Sequence, residues 1–242
     1  MAWLVEHGPI VNSPPLPTWA LDRLVKSKRI LRLRRDVFLA PTPAGRLPSS
    51  ESVASLLAPG GYISFYEAMI LNGLTDQDTS RLVVISDRRQ ANARFGDRTI
   101  HFVFAPGRAA FAHTVTKDFD GVRGRVATVA QAVLDSLTLP WHAPRLRELV
   151  AIIRLGLQSG RLNREELVEL VLAENSPAVA RRAGFLLELV GADVDSRLRA
   201  LAVRTNDRTP LIPGQPTKAS NSTWRLDLPA SEPELLAAAR DV

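Results

Sequence analysis

Between residues 23 and 35, seven of thirteen side chains are basic: Arg23, Lys26, Lys28, Arg29, Arg32, Arg34 and Arg35. Guanidinium groups stay protonated, so the chemistry of such a run is charge recognition, not proton transfer. Trp19, Arg23 and Lys26 are spaced i, i+4, i+7 and would share one face of a helix. Arg23 has the planar fork that matches O6 and N7 of guanine. Lys26 suits a phosphate. Trp19 falls near a helix N-terminus, where recognition helices approach bases. Lys28 at the end of that helix and Arg29 after it continue the charge, and Arg32, Arg34 and Arg35 are wing candidates, the last two placed to grip phosphates or enter a minor groove. With Thr18 as N-cap, these nine residues are the candidate DNA-binding set. The bland alternatives are a solvated helix face and charged protection of an edge strand.

The elements that must hold these side chains follow from the apolar framework. Leu21, Leu24 and Val25 have helical spacing, whereas Ile30, Leu31, Leu33, Val37, Phe38 and Leu39 read as short strands. A helix over 19–28 therefore runs into a hairpin, with Arg34, Arg35 and Asp36 as its tip. The buried stripe of that helix would include the stem of Lys28. A first helix would end before Gly8 and Pro9. Pro14, Pro15 and Pro17 leave space for only a short second helical turn. This is the outline of a winged helix-turn-helix over 1–48, followed by a linker rich in proline and serine.

Charge is concentrated in the same place. Residues 1–48 hold eight basic and three acidic side chains, a balance of +5 within a chain total of +6. Such asymmetry favours a polyanion partner for that segment. The chain has no cysteine, which excludes a disulfide framework, thiolate metal ligation and a cysteine nucleophile. Neither a signal peptide nor an apolar run of membrane-spanning length is visible, so the expected location is the cytoplasm, with no membrane partner.

Residues 49–242 read as a larger α+β domain with a helical C-terminal part. Ser64 would cap a helix that stops at Asn72 and Gly73. Residues 81–86 and 99–104 are strand-like, and 122–128 alternates into a helix ended by Pro140. Apolar stripes at helical spacing follow over 145–159, 164–173 and 177–190, with Asn163 and Ser176 as caps. A short helix over 195–205, a late strand over 224–228 and a helix or frayed tail from 231 complete the pattern.

No catalytic constellation emerges, so the chain is expected not to be an enzyme and to need no cofactor. His7, His101, His113 and His142 lack metal-ligand spacing, and His101 reads as a structural strand residue. Asp76 and Asp78 fit turn chemistry better than a cation site. Asp135, in an apolar helix, calls for a partner such as Arg123 or Arg125. Arg88, Arg89, Arg94 and Arg98 could extend a DNA footprint or face an acidic partner, but an ordinary solvated loop and hairpin explains them more simply. The pair Arg181 and Arg182 reads as surface charge.

Five segments occur in the order found in a known family: WALDRLVKSKRILRLRRDVFLAP, GYISFYEAMILNGLTDQ, RLVVISDRR, VATVAQAVLDSLTLP and RRAGFLLELVG. Together they resemble the AbiEi-type antitoxins of toxin–antitoxin and abortive-infection modules. The resemblance implies an N-terminal winged helix that binds repeats in its own promoter, as a monomer or a DNA-assembled dimer. It also implies that the second domain counteracts a nucleotidyltransferase-like toxin, with or without a stable complex. The family's wing tip is Arg-Arg-Gly-aliphatic-Tyr; here it is Arg34, Arg35, Asp36, Val37 and Phe38. The competing reading is a winged-helix transcriptional regulator with a ligand-sensing or dimerisation domain and no toxin.

Overall fold

The computed structural model describes residues 2–6, 8–40, 47–76 and 79–239. Residues 41–46 of the linker expected over 41–50, His7, Asp78 and the last residues of the tail lie outside them; Ser49 and Ser50, expected in that linker, instead cap and begin a helix. The fold is α+β. It packs as two compact units, Met1–Ile63 with Asp78–Val126, and Ser64–Gln77 with Ala127–Val242. The boundary expected at 48/49 falls inside the first unit, so the winged segment shares that unit with a second sheet.

The chain opens with α1 (Ala2–Glu6), β1 (Ile10–Asn12), α2 (Thr18–Lys26), β2 (Leu31–Arg34) and β3 (Val37–Leu39). The strands form an antiparallel sheet in the order β1-β3-β2. Where a second helical turn was expected, the chain instead runs as β1 and then bends through Ser13, whose φ is +44° and whose N–H donates to the Asp36 carbonyl at 2.7 Å. Pro14, Pro15 and Pro17 have no N–H to give a helix, and Ile10–Asn12 ahead of them satisfy their backbone by pairing with β3. Leu4, Val11, Leu21, Ile30, Phe38 and Ala40 form the core of the segment, with Trp3, Leu16, Leu24 and Val25 packed against them. Each fully buried side chain of this size contributes roughly 1.5–3 kcal/mol.

The first unit continues with α3 (Ser50–Leu57) and β4 (Tyr62–Ser64). The chain then forms α4 (Phe65–Leu71), which belongs to the second unit. It returns with β5 (Arg81–Ser86), β6 (Ala93–Phe95), β7 (Arg98–Phe104), α5 (Pro106–Phe111), β8 (Thr114–Phe119) and β9 (Val122–Ala127). The six strands lie in the order β6-β7-β5-β4-β9-β8. β5 and β7 run parallel in continuous register from Arg81 opposite Thr99 to Ser86 opposite Phe104, while β6 is antiparallel to β7. Arg98 fastens α3 to this sheet through Ser50 Oγ at 2.6 Å and Glu51 at 2.8 Å.

The second unit adds α6 (Val129–Thr138), α7 (Leu146–Gln158), α8 (Arg164–Glu174), α9 (Pro177–Leu189) and α10 (Ser196–Ala202). The small sheet of β10 (Thr209–Pro210), β11 (Ala219–Asn221) and β12 (Leu226–Leu228) follows, and then α11 (Glu232–Ala238). Asn163 and Ser176 cap α8 and α9 by accepting the amides of Glu166 and Val179. Ser64 precedes α4 without a capping bond; its hydroxyl donates to Asp135 at 2.6 Å instead. Asp135 also accepts from Gln131 Nε2 at 2.8 Å, one helical turn away. Of the two arginines expected as partners of Asp135, Arg123 and Arg125, the latter donates to Thr114 Oγ1 and the Ala109 carbonyl in the first unit.

The surface reading of Arg181 and Arg182 is wrong: they retain 1% and 8% of their exposure. Arg181 donates to the carbonyls of Ala202 and Thr205 and to the hydroxyls of Thr205 and Thr209, at 2.6–2.9 Å. Arg182 holds the Leu137 carbonyl at the end of α6 and the Pro210 carbonyl of β10. A buried guanidinium must have its donors engaged, and except for Leu137 these acceptors come from the stretch Ala202–Pro210. Burial lowers the pKa of both groups.

Candidate nucleic-acid interface

α2 is positioned by one apolar face. Leu21 is buried, and Leu24 and Val25 are half-buried against the core of the winged segment. The opposite face carries Trp19, Arg23 and Lys26 into solvent, and Trp19 keeps 69% of its exposure. An indole in water has an apolar cost that stacking on or beside a base would remove. Arg23 and Lys26 sit in the last turns, where cations also favour the helix macrodipole. Thr18 is exposed but is not the N-cap: it is the first helical residue, and Pro17 takes the cap position with no side-chain bond.

The helix stops at Lys26 rather than Lys28. The Lys28 amide donates to the Val25 carbonyl and the Arg29 amide to the Leu24 carbonyl, the bond pair of a Schellman stop. Lys28 occupies the left-handed position of that motif, with φ +56°. Glycine is preferred there because a Cβ is crowded. The Lys28 stem is not part of the core; the side chain is exposed, as is that of Arg29.

The three wing arginines have three different fates. Arg32, exposed on β2, pairs with Asp22 at 2.9 Å and lies over the Phe38 ring. Arg35 occupies the tip with 96% of its side-chain surface in solvent, beside Asp36, whose φ is +56°. The tip is thus Arg35 and Asp36, while Arg34 belongs to the strand and pairs with Val37. Arg34, expected to grip DNA, instead donates to the Ala91 carbonyl at 2.7 Å and Gln90 Oε1 at 3.2 Å, and it lies over Phe102. Burial lowers its pKa. It is an anchor that fixes β2 along β6, and its role depends on residues more than fifty positions away.

Among the described residues, no group of three or more His, Asp or Glu side chains could hold a metal ion, and no helix is long and apolar enough to cross a membrane. His101 is half-buried in β7, with Nδ1 3.2 Å from Asn92 Nδ2. Burial, with a smaller contribution from the Arg81 charge, lowers its pKa.

No family model matches the chain. No curated protein matches it either. Among solved structures, the chain is similar to the crystal structure of the RV2827C protein from Mycobacterium tuberculosis. The TM-score is 0.63 at 14% identity, over 98% of this chain and 91% of that one. At this identity the likeness bears on the fold alone.

Proposed function

We propose that the chain is a DNA-binding antitoxin, not an enzyme, acting in the cytoplasm. It represses its own operon through the winged segment and counteracts a nucleotidyltransferase-like toxin through the remainder of the chain. The observation that carries the DNA-binding part is the solvent-facing stripe of Trp19, Arg23 and Lys26. It stands on a helix packed by its other face and is followed by exposed Lys28, Arg29 and Arg35. A cation at Lys28 in a backbone position that favours glycine adds support, because strain that a sequence retains points to a use for that side chain. In this reading Arg23 reads a base edge, while Lys26, Lys28, Arg29 and Arg35 neutralise phosphates. Arg32 can join them once DNA competes with Asp22. The toxin partner rests on the ordered resemblance of five segments to AbiEi-type antitoxins. One copy offers a small footprint, so two promoter repeats would take two copies.

The direct test is titration of the whole protein with its own upstream duplex and with a random duplex. Tighter binding to the upstream duplex is expected, and equal affinity for the two would refute sequence-specific repression. Co-expression with the adjacent gene, scored by growth, tests the second part: relief of toxicity is expected, and no relief refutes it.

A cavity of about 210 Å³ in the second unit favours the other reading, a winged-helix regulator that senses a ligand. Its lining includes Leu137, Leu149, Leu186 and Leu211, with two cations, Arg145 and Arg182. A harmless neighbouring gene together with a DNA affinity that responds to small organic anions would select this alternative.

A further inference from the structure

We propose that the DNA-contacting surface continues from the wing onto the loop between β5 and β6, where Arg89, with Arg88 beside it, takes a backbone phosphate of the same duplex. This rests on the DNA-binding reading above and extends it to a part of the chain outside the winged segment.

Phe102 and Phe104 are two residues apart on β7, so they share one face of the sheet, roughly 7 Å apart. The Arg34 guanidinium of the wing lies over Phe102, and the Arg89 guanidinium of the loop lies over Phe104, 4.5 Å from the ring centre. The two cations are therefore neighbours on one face. Arg34 also donates to Gln90 and Ala91, which directly follow Arg89. Wing and loop are fastened by the same bonds.

The loop is held in shape from below. Buried Ser86 accepts the Arg88 amide at 3.2 Å and donates to the Arg88 carbonyl at 2.9 Å, and Gln90 Nε2 donates to the same hydroxyl. Asn92 Oδ1 accepts the Phe102 amide. A pre-shaped loop loses little freedom on binding. Arg89 is exposed and has no carboxylate partner among the described residues, and a ring beneath it orients the charge without neutralising it. Arg88 contributes less, because Asp87 lies 3.8 Å from it. Arg94 supplies an internal control. It is equally exposed, but it pairs with Thr99, whose side chain points to the sheet face opposite Phe102 and Phe104.

The experiment measures affinity of the full-length protein for the upstream duplex and a random duplex across a salt series, with Arg23→Ala, Arg89→Ala, Arg89→Lys and Arg94→Ala. Arg89→Ala is expected to reduce the slope of log affinity against log salt by about one and to weaken both duplexes roughly fivefold near physiological salt. Arg89→Lys should restore most of the slope, and Arg94→Ala should match the parent. Normal binding by Arg89→Ala while Arg23→Ala loses upstream-duplex preference would overturn the extended footprint and leave the DNA-binding reading intact. Equal losses in Arg89→Ala and Arg94→Ala would also overturn it, as an effect of net charge alone. A variant that binds DNA normally but fails to relieve toxicity would assign the loop to a protein partner instead. No specific binding by the parent protein would remove the reading beneath the proposal.

Discussion

Arg35 and Arg181 carry the same guanidinium into opposite surroundings. The first leaves the hairpin tip with nearly its whole side chain in water; the second keeps 1% of its exposure and meets only carbonyl and hydroxyl oxygens. Both stand in Arg-Arg pairs, and nothing in either pair announces its fate. What separates them is the backbone around them. The stretch from Ala202 to Pro210 brings acceptors around Arg181 and Arg182, whereas the short hairpin offers Arg35 only the exposed carboxylate of its neighbour Asp36, at 3.5 Å. An arginine with engaged donors holds a fold together, and one without them is available to a polyanion. Arg34 lies between the two cases, in the wing by sequence and tied to the Ala91 carbonyl by structure.

The contrast can be broken most sharply at Arg181. Arg181→Ala strands carbonyls at Ala202 and Thr205, so a loss of about 3–5 kcal/mol is expected from urea unfolding. Arg181→Lys should recover little of it, because an ammonium cannot reproduce the fork. A loss under about 1 kcal/mol would mean that the burial is not structural. Arg23→Ala should cost about 1–3 kcal/mol in specific duplex binding and leave unfolding unchanged within about 0.5 kcal/mol. If random DNA loses as much as the upstream duplex, Arg23 holds a phosphate rather than a base. Arg34→Ala is expected to lower stability by about 1–2 kcal/mol through its lost bonds. Salt dependence should stay close to the parent's, and a slope reduced by a full unit would return Arg34 to the contact set. Arg35→Ala gives the reverse pattern, with the salt slope down by about one and no measurable change in melting temperature. The smallest effect belongs to Lys28→Gly. Relief of the left-handed backbone should stabilise by up to about 1 kcal/mol while DNA affinity drops. Unchanged affinity would leave Lys28 as strain without a use.

The helix and hairpin were legible because their apolar periods differ and because prolines and polar turns separate them. The longer helices were legible through stripes and caps such as Asn163 and Ser176. Other elements carried signals that are plain only afterwards. The hairpin of β8 and β9 turns at Asp120 and Gly121, both at positive φ, the chemistry of a tight β-turn. Ser49 accepts the Ser52 amide and opens α3, with Glu51 in the first turn. The strand β1 was hidden because three residues are too few for a period to show. Asp135 could be recognised as needing a partner, but its hydroxyl donor, Ser64, lies seventy-one positions away.

The concentration of charge, the stripe of Trp19, Arg23 and Lys26, and the alternation that makes a wing are properties of residue type and of spacing within a few positions, and could be read from the chain alone. Tertiary structure alone decided which arginines are available. It ties Arg34 to the Ala91 carbonyl, sets Arg89 over Phe104 on the same sheet face, and buries Arg181 and Arg182 among distant carbonyls. The physical reason is that the state of a guanidinium is fixed by which acceptors reach its donors. For Arg34, Arg181 and Arg182 those acceptors are mostly backbone oxygens, which every residue carries and no sequence pattern marks.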